Sequence, residues 1–143
     1  MKTSPPQNYQ NHKKITPLQQ YILMPLALVI LILAIVNIIL SKGSLPSFLF
    51  LLTSIGILIL GMLVRIYALK LQDRIIWNEV NFRHIQLTGE PLDAKLELGQ
   101  VIALRFAEDD EFLALCQRAV GEGMAPDAIK RQITRWRADH WRV

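Results

Sequence analysis

Two long uncharged apolar stretches, separated only by SKGSLPS, restrict what this chain can become. Tyr21 to Leu40 reads YILMPLALVILILAIVNIIL, and Phe48 to Leu69 reads FLFLLTSIGILILGMLVRIYAL, with Arg65 its first charge. A bilayer core about 30 Å thick is crossed by about 20 residues of helix, and each stretch approaches that length. In hydrocarbon, backbone polar groups must be paired within the segment, so both stretches are expected to be helices. The short link makes them antiparallel. A second apolar block following the first at once favours a retained hairpin over a cleaved leader.

Charge is distributed unevenly around this hairpin. Every one of the 12 Asp and Glu residues lies after Arg65. The formal charge of +4 is carried by Lys2, Lys13, Lys14 and Lys42, so the remainder of the chain is locally neutral. The basic balance therefore reads as cationic flanks beside a membrane, and no nucleic-acid partner is expected. Lysines precede the first span, Arg65, Lys70, Arg74 and Arg83 follow from the end of the second, and Lys42 stands alone in the bend. Positive flanks stay on the cytoplasmic side, which predicts an inner-membrane protein with both termini inside and the bend outside.

The domain boundaries follow from these patterns. Residues 1–15 form a polar tail, 16–69 a helical hairpin (helices about 17–40 and 48–69, turn 41–47), and 70–143 a cytosolic helical domain. Thr16-Pro17 reads as a helix start. Pro25 removes one backbone bond inside the first helix, predicting a kink near Tyr21. Thr53, Ser54, Gly56 and Gly61 supply small residues for close packing in the second. From Arg65 to Leu87, apolar residues recur at three- and four-residue steps, predicting that the second helix continues as an amphipathic stalk. Thr88-Gly89 and Pro91 end it. Asp93 is a candidate cap for a helix carrying Leu96 to Phe106. The acid run Glu108 to Glu111 suits the positive end of a further helix, which stops at Gly121 to Gly123. Pro126 opens a last helix with Ile129, Ile133, Trp136 and His140 on one stripe.

Several blocks occur here in one order: Gln7-Asn8-Tyr9 with Asn11-His12; Gln72 to Ile76; Leu87-Thr88-Gly89 with Pro91 to Asp93; Gln100, Ile102 to Ala107, Asp109, Glu111 and Phe112; and Ile129-Lys130, Ile133, Trp136 to Asp139, Arg142-Val143. Together they resemble the DUF6526 family of uncharacterised bacterial membrane proteins, over nearly the whole chain. Gln20 stands where a His is usual, and Glu108 where a small hydroxyl residue is usual. The resemblance implies the architecture above and no chemistry.

No catalytic constellation emerges from the residues themselves. His12, His84, His140 and Cys116 are scattered, without metal-ligand spacing, and the glycines form no phosphate loop. No cofactor or metal is expected, and the chain is read as non-enzymatic. Cys116 falls on an apolar stripe, where a buried structural thiol is the default. Asp73, Arg74 and Arg105 are candidates for ion pairs knitting the stalk to the tail. Trp136, Arg137, Trp141 and Arg142 are candidates for contact with lipid headgroups or a partner, against the plainer reading of a core Trp with solvated arginines.

The sequence reads as an all-α, membrane-anchored interaction or structural module with the lipid bilayer as its first partner. A second copy or a larger membrane complex is a further partner. An accessory transporter subunit and a membrane-bound enzyme are the alternatives.

Overall fold

The computed structural model describes residues 8–11 and 16–139. Their regular structure is helical: a π-helical turn Leu18–Leu23, then α1 (Met24–Leu40), α2 (Leu45–Thr88), α3 (Leu98–Leu104), α4 (Asp109–Glu122) and α5 (Pro126–Gln132). The described residues fall into two compact units, 16–69 and 70–139, the second taking in 8–11.

In the first unit, Pro25 near the start of α1 leaves the carbonyl one turn back without its α-helical donor. The chain answers with the π-helical turn over Leu18–Leu23, so the expected break near Tyr21 takes the form of a widened turn. Thr16 does not cap this helix with its side chain. Its hydroxyl instead accepts from Arg65 Nη1 at 3.0 Å. The bend is shorter than the expected 41–47, because Leu45 and Pro46 already belong to α2. Lys42 and Gly43 carry positive φ angles of 52° and 77° there. Ser47 Oγ lies 2.6 Å from Ser41 Oγ and 2.8 Å from Ser44 Oγ. Asn37 Nδ2 donates to Ser47 Oγ at 3.3 Å, a bond from one helix to the other.

The two helices of this unit have an inverted interior. Its buried residues include Ala27, Ala34, Ser47 and Ser54, with Gly61. Ala27, Ala34 and Ser41 on one helix, and Ser47, Ser54 and Gly61 on the other, each recur at seven-residue intervals. Two helical turns separate seven residues, so each ladder stays on one face of its helix. A Cβ built on Gly61 would lie 3.7 Å from Leu23 Cδ2 and Met24 Sδ, which fixes the direct approach of the helices. Gln19 Nε2 closes that end by donating to the Gly61 carbonyl at 3.1 Å. Of the expected small-residue face, Ser54 and Gly61 point inwards, while Thr53 and Gly56 are exposed, one turn-fraction off the stripe. Both helices are long and apolar enough to cross a membrane by length and composition.

The second unit has an ordinary apolar core. Ile76 and Val80 from α2 join Val101, Leu104, Phe106, Phe112, Leu115, Ala119 and Ile129. Gly89 ends α2 in the left-handed region (φ 82°), its N–H on the Ile85 carbonyl, as the sequence predicts. The next helix starts later than an Asp93 cap would place it. Asp93 instead closes a tight turn onto the Lys95 N–H, and α3 begins at Leu98 behind Glu97. Gln100 holds that start: its Oε1 accepts from the Glu97 N–H at 2.8 Å, and its Nε2 donates to Met124 O at 2.8 Å. Thus one buried amide satisfies the beginning of α3 and the chain leaving α4. At Gly99 a Cβ would stand 3.0 Å from Pro126 Cγ, so any larger residue would require Pro126 to give by a few tenths of an ångström.

Ser54→Leu is expected to lower the stability of the detergent-solubilised chain by about 1–3 kcal/mol through overpacking, whereas the exposed Thr53→Leu changes it little. Thermal unfolding of the pair checks this: equal losses would show that the seven-residue ladder is not the packed face.

Candidate functional site

Polar chemistry in the second unit concentrates where α2, the start of α4 and the segment after α5 meet. Arg83 lies on the same helical stripe as Ile76 and Val80, three to seven residues further on, so the amphipathic pattern turns it inwards. Its side chain is only 12% exposed. Nε donates to Asp109 Oδ1 at 2.6 Å and Nη2 to the Ala107 carbonyl at 2.7 Å. Its guanidinium carbon stands 4.3 Å above the centre of the Phe112 ring. Carboxylate, carbonyl and aromatic face together hold one cation at the start of α4.

The acid run opens α4 as expected, with Asp109, Asp110 and Glu111 in the first turn, and also serves the last described segment. Glu111 Oε2 accepts from Thr134 Oγ1 at 2.6 Å and from the Thr134 N–H at 3.1 Å, while Oε1 accepts from the Arg135 N–H at 3.1 Å. Asp110 pairs with Arg135. The Arg137 N–H donates to Phe106 O at 2.7 Å and the Glu108 N–H to Arg135 O at 3.2 Å, forming an isolated antiparallel bridge between Ala107 and Trp136. These partners take the backbone groups that another helical turn would use. For this reason α5 stops at Gln132, and the expected long last helix is instead one short helix followed by an extended strap.

Trp136 is consequently not on a helical stripe. Its ring packs on Phe106, with ring centres 4.9 Å apart, and joins the edge of the core. Arg137 is exposed and lies 3.9 Å from Asp109. Trp141 and Arg142 lie outside the described residues. The structure does not bring Asp73 and Arg74 to Arg105. Arg105 is 8% exposed, pairs with Asp139 across 3.4 Å and covers the Phe106 ring at 4.5 Å. Arg74 is exposed on α2 and Asp73 half-buried. The ion pair that ties α2 to the tail is therefore Arg83 with Asp109, because the inward stripe runs through residue 83 rather than 74.

Between these groups lies an open cleft of about 580 Å³, lined by Glu79, Phe82, Arg83, Arg105, Asp109 and Asp139 among others. Its arginines Arg83 and Arg105 face Asp109 and Asp139 of the same chain, so both cations are already paired. No group of His, Cys, Asp and Glu able to hold a metal ion occurs among the described residues. Cys116 is buried, and burial pushes its thiol up to about 12 despite the opposing field of Arg83. It is therefore a thiol at neutral pH, without the thiolate that nucleophilic chemistry needs. Tyr9 docks on α5: its hydroxyl donates to Asp127 Oδ1 at 2.7 Å and accepts from Arg131 Nε at 3.3 Å. Tyr9 of the polar leader is thus held by α5, while His12 lies outside the described residues. The Tyr9 bond, followed by the Arg131 charge, holds the Asp127 carboxyl below its ordinary range.

Arg83, Gln100 and Glu111 were not singled out by their sequence context. The first had a signal in its helical phase, and the second in the Glu97-x-x-Gln100 spacing of a capping box. Glu111 looked like one more acid at a helix start, and its partners come from a strap that periodicity does not reveal.

These features define a small all-α protein in which a helical pair with an apolar exterior precedes a helical unit tied by its own C-terminal strap. The chain belongs to the DUF6526 family, a family of unknown function, whose model matches residues 1–143. No curated protein and no solved structure gives a significant match.

Arg83→Ala is expected to cost the unit about 2–3 kcal/mol, given bonds from a mostly buried cation to a carboxylate and a carbonyl, while Arg74→Ala falls within about 0.5 kcal/mol. Chemical denaturation of both variants checks the order. A second expectation concerns pH. The Cys116 thiol is raised in the folded state, so its contribution is intact below the ordinary value of 9.0 and is lost as pH climbs towards about 12. Cys116→Val should flatten that part of the stability curve, and parallel curves for variant and parent would contradict it.

Proposed function

We propose that the chain is an integral membrane protein whose hairpin anchors a cytoplasmic helical module that works by contact rather than by catalysis. The inverted packing of the first unit carries this reading. Leu26, Leu28, Ile32, Leu33, Leu52 and Leu60 are each more than half exposed, while Ser47 and Ser54 are 2% and 1% exposed. Burying a Leu or Ile side chain is worth about 1.5–3 kcal/mol, so leaving so many in water would outweigh the whole stability of an ordinary domain. Hydrocarbon as solvent removes that cost. It also explains a helix interface of Ala, Ser and Gly, since helices in lipid associate by close approach and not by hiding leucine.

The cytoplasmic placement of the second unit rests on the cations flanking the two spans, with Lys42 alone in the bend. A contact role fits a cleft whose buried arginines are already paired with carboxylates of their own chain, a thiol held protonated, and a strap bound by its own chain. Such a module offers shape and surface to a neighbour.

Membrane vesicles washed with alkaline carbonate should retain the chain. Reporter enzymes fused at either terminus should be active inside the cell, and one inserted after Gly43 should be active outside. Release by carbonate, or a bend that reports from the cytoplasm, overturns the reading.

A further inference from the structure

The stalk portion of α2 has a second apolar face. One side carries Ile76 and Val80 into the core of the tail unit. The outward side carries Leu71, Ile75 and Phe82, which are 60%, 50% and 60% exposed, and Ile85, which is 38% exposed; Phe82 also stands at the edge of the cleft described above. With Asn78 between them, these residues stand at steps of four, three, four and three. That is the seam of a coiled coil, with Leu71, Asn78 and Ile85 in d positions and Ile75 and Phe82 in a positions. Flanking the seam, Arg74 takes a g position and Glu79 the following e position. Both are exposed, and neither has a hydrogen bond or ion pair among the described residues.

We infer that this seam pairs with the same seam of a second copy of the chain, as a parallel two-stranded coiled coil at the foot of the membrane hairpin. Charge selects both partner and direction. In a parallel pair, each g residue faces the e residue five positions on in the other helix, so Arg74 meets Glu79 twice over. An antiparallel pair would instead set g against g and e against e, bringing like charges together. The membrane imposes the same direction independently, a point that rests on the anchoring proposed above: two stalks leaving one bilayer face run side by side in the same sense. Asn78 meets its own copy in the seam, and in that register the two amides satisfy each other instead of facing an apolar side chain. Two heptads are short for free peptides. Here the helix already exists as part of α2, and confinement to one membrane raises the effective concentration of its partner.

Cysteine crosslinking in native vesicles tests this. The wild-type chain gives the blank, because its single thiol, Cys116, is buried. Mild oxidation should convert Asn78→Cys and Leu71→Cys to disulfide-linked homodimers at least tenfold faster than Lys70→Cys and Trp77→Cys, which lie beside the seam. Adding Arg74→Glu to Asn78→Cys should reduce dimer yield several-fold, and further adding Glu79→Arg should restore it. Equal crosslinking at all four positions, or capture of a foreign chain in place of a second copy, overturns the pairing. Carbonate extraction of the same vesicles separates the two readings. A chain that stays in the membrane without forming the Asn78→Cys dimer overturns the pairing alone, whereas release from the membrane overturns the anchoring on which its direction rests.

Discussion

A pair of helices that keeps its serines, alanines and a glycine inside and its leucines outside depends on where its apolar surface goes. Everything in residues 16–69 follows from that inversion. On the anchoring proposed above, lipid would remove the hydrophobic force between the helices, which accounts for an interface of residues that let backbones approach and of polar caps at both ends. Ser41, Ser44, Ser47 and Asn37 satisfy one another at the bend. Gln19 with the Gly61 carbonyl and Arg65 with Thr16 do so at the other end. Each of these polar groups lies near a terminus of the apolar run, where an unmet hydrogen bond can still find water. The middle of the interface holds Ala34 and Ser54, and the Ser54 hydroxyl donates back to the Leu51 carbonyl of its own helix. No charge has to be carried through the middle.

The second unit solves the opposite problem, assembling an ordinary apolar core from few residues. At this size apolar burial alone is marginal, and the polar bonds that fix its geometry matter more than in a large domain. Three side chains do most of that fixing by reaching backbone groups. Gln100 ties the start of α3 to the chain leaving α4, Glu111 holds the strap, and Arg83 ties α2 to the Ala107 carbonyl and Asp109. Each joins segments distant in sequence and leaves fewer backbone groups to be met by water.

The large elements were legible because they are periodic. The apolar runs, the stalk continuing from the second run, the glycine stop at Gly89 and the acid start of α4 each carry a local signal that the fold keeps. The misses share a cause. The seven-residue recurrence of small residues has no signal in residue type, because Gly56 is exposed and the packed stripe mixes Ser, Ala and Gly and is defined by phase alone. The last helix was extended through Trp136 because Ile129, Ile133 and Trp136 have helical spacing. Tertiary competition for its backbone by Glu111 and the Phe106 carbonyl decided otherwise, and no local window contains those partners. Arg83 rather than Arg74 makes the stalk ion pair, as its phase relative to Ile76 and Val80 already favours.

Arg74 is thereby left for another role. A long helix that buries one stripe normally carries polar residues on the other, and α2 does so only in part. Between Leu71 and Ile85 the outward face sets large apolar side chains at the spacing of a seam, and the cation and anion that flank it have no hydrogen bond or ion pair among the described residues. An isolated exposed leucine needs no explanation, because much of any protein surface is apolar. Four apolar residues in one phase, bracketed by opposite charges at the distance that matches them across a parallel pair, are a different observation. Arg83 is consumed by the monomer and Arg74 is not, so the two cations of one helix divide between holding the tail together and addressing a neighbour.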